Sequence, residues 1–480
     1  MDSIRPLVKL FETRGKYYLF DTNKNSILNI NKEQYKAFEK YMETGDRSYI
    51  NSQEIDTFIQ DGFLSNNRVR EIVSPYDELL GHYLENNVEM LTLQLTQQCN
   101  FRCEYCVYSG SYTNRTHSSK RMELSTALKT IDFCISHSKN NKRLCIDFYG
   151  GEPLLEFDLL KTCVEYAKEK GEGKEIDFYV TTNGYYLNDE ILDFLYKHRV
   201  MLTISLDGPE EIHDKHRRLA LNNKGTYKKV YENIATLRKK YKDYISLVSF
   251  STVVDKTNDF ETIDNFFKND EIAERINIIA APITDTNCKV SLDTSDKFYT
   301  QREYEVFREL YYSIKKRKKK TGSAIVSQTY SEIATLSKRL TSKAGLPEKA
   351  HPSGPCIAGT KRLFVSVDGY FYPCEKCSES SELMKIGHID TGFDIEKVRE
   401  LMNIGKVNDN ACKNCWAFSY CFMCAAIIDS SEGKFSIESK KQVCKEIKES
   451  TEEQLKNYCV LKEFGHEFND ENKERYLLDN

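Results

Sequence analysis

The chain has 480 residues, of which 40% are hydrophobic and 30% charged, with a net charge of −4. That length predicts two to four domains with a sizeable core, and the small acidic excess argues against general nucleic-acid binding. No run of roughly 18 apolar residues occurs, so no transmembrane helix and no membrane association are expected. The first twenty residues lack the basic-then-apolar pattern of a secretory signal, which predicts a cytoplasmic location. Sixteen cysteines in such a chain point to metal ligation before disulfides.

Residues 1–85 are expected to form a first unit. Val8–Glu12, Tyr17–Asp21 and Ser26–Ile30 read as short strands separated by turn residues, and Tyr35, Phe38 and Tyr41 recur at helical spacing within residues 32–43. A second short helix is expected over Gln53–Gln60, giving a small winged-helix-like module.

Residues 88–320 alternate strand and helix signals. Apolar, β-branched runs occur at Met90–Thr96, Leu144–Tyr149, Ile176–Thr182, Met201–Leu206, Leu247–Val254 and Ile276–Ala281. Charged stretches of helical period separate them, which implies parallel βα units. Six units are fewer than a closed eight-fold barrel needs, so the expected fold class is α/β, a partial, laterally open (β/α)6 barrel. The unusual residues follow the strand ends, where barrel active sites gather. The basic run Lys315–Lys320 reads as a solvated helix end, or as a contact for an acidic peptide.

Residues 350–450 carry a second concentration of cysteine, and residues 451–480 read as a charged tail. From residue 445 onward the composition predicts a surface helix followed by a loose segment.

Cys99, Cys103 and Cys106 form a C-x3-C-x2-C loop directly after the Met90–Thr96 run. Three thiolates can hold three irons of a four-iron cluster and leave the fourth open. A zinc site or three unrelated buried thiols are the competing readings, but a zinc site usually has four protein ligands and no histidine or fourth cysteine lies close by.

The loop resembles that of radical S-adenosylmethionine enzymes. The resemblance extends to Tyr149-Gly150-Gly151-Glu152-Pro153, Thr181-Thr182-Asn183-Gly184, Ser205-Leu206-Asp207-Gly208-Pro209, His213-Asp214 and Arg217. It implies that S-adenosylmethionine binds the open iron and is cleaved to a 5′-deoxyadenosyl radical, with Cys99, Cys103 and Cys106 as the initiating set. It also implies that Gly150, Gly151 and Glu152 lie at the methionine ammonium, Ser205 at the ribose and Tyr105 near the adenine. Asn183 belongs to the same cofactor-contacting set, and Arg217 is a candidate for the cofactor carboxylate. The plain alternative for Arg217 is an exposed helix arginine.

The later cysteines resemble the SPASM extension of such enzymes, which implies two auxiliary four-iron clusters and three [4Fe-4S] clusters in all. By position Cys356, Cys374 and Cys424 resemble ligands of the first, and Cys412, Cys415, Cys421 and Cys444 those of the second. Only Phe422 and Met423 separate Cys421 from Cys424, one residue fewer than the family pattern. Cys377 either completes the first set or leaves an open iron for a substrate thiolate. Zinc ribbons are the alternative for this region. Cys134, Cys145, Cys163, Cys288 and Cys459 read as ordinary thiols.

The N-terminal unit resembles the recognition element of enzymes that modify ribosomal peptides, where a leader segment would add to a strand edge beside a helix. A structural cap on the barrel is the alternative. Together these features imply a maturase that forms intramolecular thioethers in a ribosomal precursor peptide and is reduced by a flavodoxin or ferredoxin. Carbon–carbon crosslinking, sulfatase-type formylglycine formation and a non-catalytic zinc adaptor are the competing functions.

Overall fold

The computed structural model describes residues 5–468 apart from 110, 113–114, 274–275, 284–287, 290–292, 316–321, 353, 355 and 431–432. Most of the Lys315–Lys320 run and the end of the charged tail lie outside the described residues.

Six strands form a parallel array in which each pairs with the next in sequence: Met90–Thr96, Arg143–Gly150, Glu175–Thr182, Met201–Ser205, Val248–Val254 and Asn277–Pro282. Helices Leu124–Ser136, Phe157–Lys170, Asp189–Lys197, Tyr227–Lys240 and Phe260–Asn269 make the crossovers. Strand side chains alternate between two faces. On the second strand Leu144, Ile146 and Phe148 are fully buried in the main core, whereas Cys145, Asp147 and Tyr149 face the other way. That second face is the lumen of an open barrel. A closed eight-stranded barrel fills its lumen with branched apolar side chains; here it carries groups such as Thr92, Asp147, Tyr149, Thr181 and Ser205.

One edge of the barrel is covered in a way the sequence did not announce. Leu363–Val365 pairs in parallel outside Met90–Thr96, and the short strands Tyr370–Tyr372, Gly387–His388 and Gly392–Phe393 extend the sheet antiparallel to ten strands. Strands of two or three residues are too short to display an alternation. The opposite edge strand, Asn277–Pro282, has no partner on its outer side among the described residues, and Ile279 there is 48% exposed.

The C-terminal region is fastened to the barrel by a buried knot of polar groups. Glu379 accepts from Gln94 Nε2 at 2.8 Å, from Gln97 Nε2 at 3.0 Å and from the Tyr108 hydroxyl at 3.1 Å. Arg115 Nε lies 3.1 Å from the same carboxylate, and its Nη2 donates to the carbonyls of Glu375 and Cys377. The Arg115 side chain is only 3% exposed.

The N-terminal strands pair antiparallel in the order Val8–Glu12, Tyr17–Asp21, Ser26–Ile30. One face packs on helix Lys32–Thr44 through Leu19, Phe38 and Tyr41. The other packs through Phe11, Tyr18 and Phe20 against Leu336, Tyr420 and Leu455. Asn25 donates to the carbonyls of Arg339 and Thr341, and Thr22 to that of Trp416. Helix Ile437–Glu463 differs from the expected surface helix: Ile447, Thr451, Leu455 and Cys459 recur every four residues and are buried. It clamps the N-terminal sheet, with Glu463 accepting from Thr13 and Tyr18.

The strand ends set the active face. Gly151 N–H donates to Thr96 O and Glu152 N–H to Gln98 O, each at 2.8 Å. A Cβ on Gly151 would lie 2.0 Å from Gln98 O, and one on Gly150, at φ +142°, 2.2 Å from Thr96 O. Both contacts are with backbone, so only glycine permits this approach.

Gly151→Ala is expected to cost about 1–3 kcal/mol, as overpacking does, read as a lowered thermal midpoint. Arg115→Met removes the cation from Glu379 and leaves it only the neutral donors Gln94, Gln97 and Tyr108, with an expected loss of about 3–5 kcal/mol. The double variant Arg115→Met/Glu379→Leu should recover part of that loss in a double-mutant cycle; strictly additive losses would contradict the pairing.

Candidate active site

The loop that leaves the first strand carries Cys99, Cys103 and Cys106. Cys99 Sγ accepts from Phe101 N–H at 3.3 Å and lies 3.8 Å from Asn183 Nδ2. Burial pushes all three thiols up, Cys103 to about 12. Iron ligands are thiolates, and three adjacent buried thiolates require a compensating cation. The carboxamide of Asn100 lies in the same loop. Its Oδ1 accepts from Asn183 at 2.8 Å, while its Nδ2 is buried without a partner. A buried donor with no acceptor calls for a bound group. The residues present therefore fit an iron–sulfur cluster with an adjoining polar ligand.

The strand ends bring the other expected residues around this loop. Glu152 accepts from the Thr182 hydroxyl at 2.7 Å and from the backbone of Asn183 at 2.8 Å and Leu154 at 3.0 Å. Burial raises its carboxyl to about 7. These bonds tie the second strand end to the third and spend much of its accepting capacity, so Glu152 positions the glycines beside the cysteine loop. Ser205 ends the fourth strand in register with Ser251 of the fifth.

Arg217 is not an exposed helix residue. It is 6% exposed and forks onto Asp207, Nε to Oδ2 at 2.9 Å and Nη2 to Oδ1 at 3.2 Å. The Tyr105 hydroxyl also donates to Asp207, and the Arg217 guanidinium stands 5.4 Å from the Tyr105 ring centre. Burial opposes ionisation of Asp207, yet Arg217 holds its carboxyl below the usual range. Arg217 also bears on Cys103 electrostatically. Two of its donors are thus committed to Asp207, a residue whose motif was visible in the sequence but which had been given no role.

The later cysteines separate into two groups. Cys412, Cys415, Cys421 and Cys444 line one cavity of about 490 Å³ together with Lys440 and Lys448. In the other group Cys356 and Cys374 interact with Cys424, and Cys377 joins them. The Cys374 and Cys377 thiols interact directly, which pulls Cys374 down and pushes Cys377 up. Cys377 is 2% exposed. Among the described residues no three His, Cys, Asp or Glu side chains converge closely enough to share a single ion. Of the five cysteines given no role, Cys134, Cys163 and Cys459 are buried in the cores, and Cys145 bonds to Tyr179.

Gln94, Arg115 and Glu379 were missed as site-organising residues. Gln94 alone had a signal, an amide side chain midway along the Met90–Thr96 strand, on the same face as Thr92 and Thr96.

Comparison with known proteins agrees with this geometry. Residues 93–268 match the model of the Radical SAM superfamily. The cysteine-type anaerobic sulfatase-maturating enzyme of Clostridium novyi strain NT is 26% identical over 346 residues, covering 70% of this chain and 87% of that protein. The radical SAM cyclopropyl synthase TigE of Paramaledivibacter caminithermalis is 23% identical over 457 residues, 87% of this chain and 88% of its own. A solved structure described as native anSMEcpe with bound AdoMet has a TM-score of 0.58 at 20% identity, covering 78% of this chain and 99% of that one. That likeness shows the shared fold. The superfamily's cofactors are a four-iron cluster and S-adenosylmethionine, which the Cys99–Cys106 loop suits. The open barrel at residues 93–268 is therefore a radical SAM domain, and the chain is related in sequence to anaerobic sulfatase-maturating enzymes.

Proposed function

We propose that the protein is a peptide maturase that joins a cysteine sulfur to a carbon of the same ribosomal precursor peptide. One observation carries the reading. The polar lumen is bounded on one side by the Cys99–Cys106 loop and on the other by the Cys356, Cys374, Cys377 and Cys424 group, and Arg115 ties the two together. A substrate in the lumen would lie between two redox groups. Bound at the first loop, the cluster and S-adenosylmethionine would supply a radical that abstracts hydrogen from a substrate carbon.

The chain's own residues bind, orient and shield. Asn100, Asn183 and the Gly150–Gly151 backbone would orient the cofactor, and the Tyr105–Asp207–Arg217 set would close its far side. Among the described residues the outer edge of Asn277–Pro282 has no strand partner and would accept an extended peptide, and Ser26–Ile30 offers a second such edge for a leader segment. The two later cysteine groups would hold auxiliary clusters, and a small reducing protein such as a flavodoxin or ferredoxin would supply electrons.

A second reading is sulfatase-type formylglycine formation. It is favoured by the relatedness to cysteine-type sulfatase-maturating enzymes, and it would suit Cys377 as a fourth ligand beside Cys374 and Cys424, leaving no open iron for a substrate thiolate. Both readings act on a side-chain thiol.

Co-expression with short cysteine-rich peptides encoded beside the gene, followed by mass spectrometry, separates them. The thioether reading requires loss of two hydrogens in a peptide whose cysteines resist alkylation. A peptide that instead gains a hydrazide-reactive aldehyde supports the second reading, and an unchanged peptide contradicts both. Cys99→Ala should abolish any modification while leaving peptide binding, measured by fluorescence anisotropy, within about twofold.

A further inference from the structure

Three carboxylates are described at lumen-side positions of the barrel strands: Asp147 on the second strand, and Glu175 and Asp177 on the third, of which Glu175 is the exposed first residue of its strand with Arg143 Nε at 3.5 Å. Asp177 lies toward the N-terminal end of its strand, where Arg143 Nε sits 3.1 Å from its Oδ2. Asp147 is two positions nearer the active face, three residues before Gly150. Its neighbours Ile146 and Phe148 are fully buried in the core on the opposite face, which turns the carboxyl into the lumen.

We propose that Asp147 is the catalytic base that takes the proton of the substrate's reacting thiol. The inference rests on the reading that a cysteine side chain of a peptide enters the lumen, and it holds for either product named above. Thr92, the register partner of Asp147 on the first strand, donates its hydroxyl to Oδ2 at 3.2 Å. Thr92 is 1% exposed, so this bond fixes the carboxyl plane. Among the described residues Thr92 is the sole hydrogen-bond partner of the Asp147 carboxyl, which leaves Oδ1 to face a substrate. The step is a proton transfer alone: the S–H bond breaks, its electron pair stays on sulfur, and the proton goes to Oδ1.

The surroundings suit the task. Glu375, which follows Cys374, faces Asp147 with its own charge, and Arg362 pairs with Glu375 at 2.7 Å while attenuating the repulsion. Tyr149 on the same strand also lies within electrostatic reach, whereas Tyr179, the register partner on the third strand, is bonded to Cys145. Burial, and then Glu375, raise the Asp147 carboxyl to about 7. A base works best when its pKa lies near the working pH. Asp147 is also close to the Cys374–Cys377 segment through Glu375, so a thiol held there would lie between the radical loop and the first auxiliary group.

The test uses reconstituted holoenzyme, reduced with dithionite, acting on whichever co-expressed peptide acquires a modification. Asp147→Asn keeps the shape and removes the base. Product formation should fall about 100-fold or more, and 5′-deoxyadenosine released per product should rise, because hydrogen abstraction is no longer followed through. The wild-type rate should climb through pH about 7, and that inflection should vanish in the variant. Thr92→Val, which frees the carboxyl to rotate, should show a smaller loss with the inflection retained. Wild-type rate and pH profile in Asp147→Asn would overturn the inference.

A second readout does not depend on turnover. A carboxyl whose folded pKa is raised from 3.8 to about 7 contributes its full stabilisation below 3.8 and loses it progressively as pH rises from there through about 7. The thermal midpoint of the wild type should therefore drop relative to Asp147→Asn over that window. A constant difference would overturn the inference even if no modified peptide is found. A peptide that never reacts with wild-type enzyme, beside a normal pH-dependent difference, would sink the functional reading instead.

Discussion

A buried pair of opposite charges holds the two halves of the catalytic chamber in register. Arg115 lies nine residues after Cys106 and Glu379 two residues after Cys377, so each partner belongs to a different cysteine-bearing segment. Their contact at 3.1 Å, with Gln94 and Tyr108 bonded to the same carboxylate, fixes the distance between those segments. Buried charges are tolerated only when paired and hydrogen-bonded, and here the requirement doubles as a positioning device. The strand Leu363–Val365 adds backbone pairing to the same joint and removes one open edge of the barrel. The lumen then remains open along the opposite side, beside Asn277–Pro282.

Within this frame the barrel strands serve two masters. Their outer faces pack against helices as in any parallel α/β structure. Their inner faces carry hydroxyls, tyrosines and carboxyls around a space that a closed barrel would fill with aliphatic side chains. The glycines at residues 150 and 151 press the second strand end onto the cysteine loop, and Glu152 binds the third strand end to the second. Three strand ends are thereby fixed around the place where a cluster and its cofactor would sit. Arg217 brings a positive charge near Cys103, offset in part by Asp207, and a hydrogen bond from the same guanidinium also favours the thiolate.

The parts of this arrangement that depend on local pattern were legible in the sequence. All six barrel strands follow apolar runs to within a residue or two, and the three N-terminal strands match the expected bounds, because turn residues punctuate them. The motif residues likewise fall at strand ends, as parallel topology demands. What escaped was set by tertiary context. Leu363–Val365 is too short to show a period, and the pairing of Arg115 with Glu379 spans more than 250 residues. Helix Ile437–Glu463 was read as a surface element because its charges dominate, although Ile447, Thr451, Leu455 and Cys459 already stood at four-residue spacing. Arg217 was visible as a cofactor candidate, but its commitment to Asp207 depends on a turn between the two that sequence does not disclose. The relation of Cys377 to Cys374 and Cys424 likewise needed coordinates.

Three cysteine groups are proposed to bind iron, two of them bounding the lumen and the third, Cys412, Cys415, Cys421 and Cys444, lining a cavity of its own. Anaerobic reconstitution followed by iron and acid-labile sulfide analysis tests this assignment most directly. The wild-type chain should hold about twelve irons, and the triple variant Cys99→Ala/Cys103→Ala/Cys106→Ala about eight. Stoichiometric zinc in place of iron, or an iron content unchanged by the triple substitution, would contradict it.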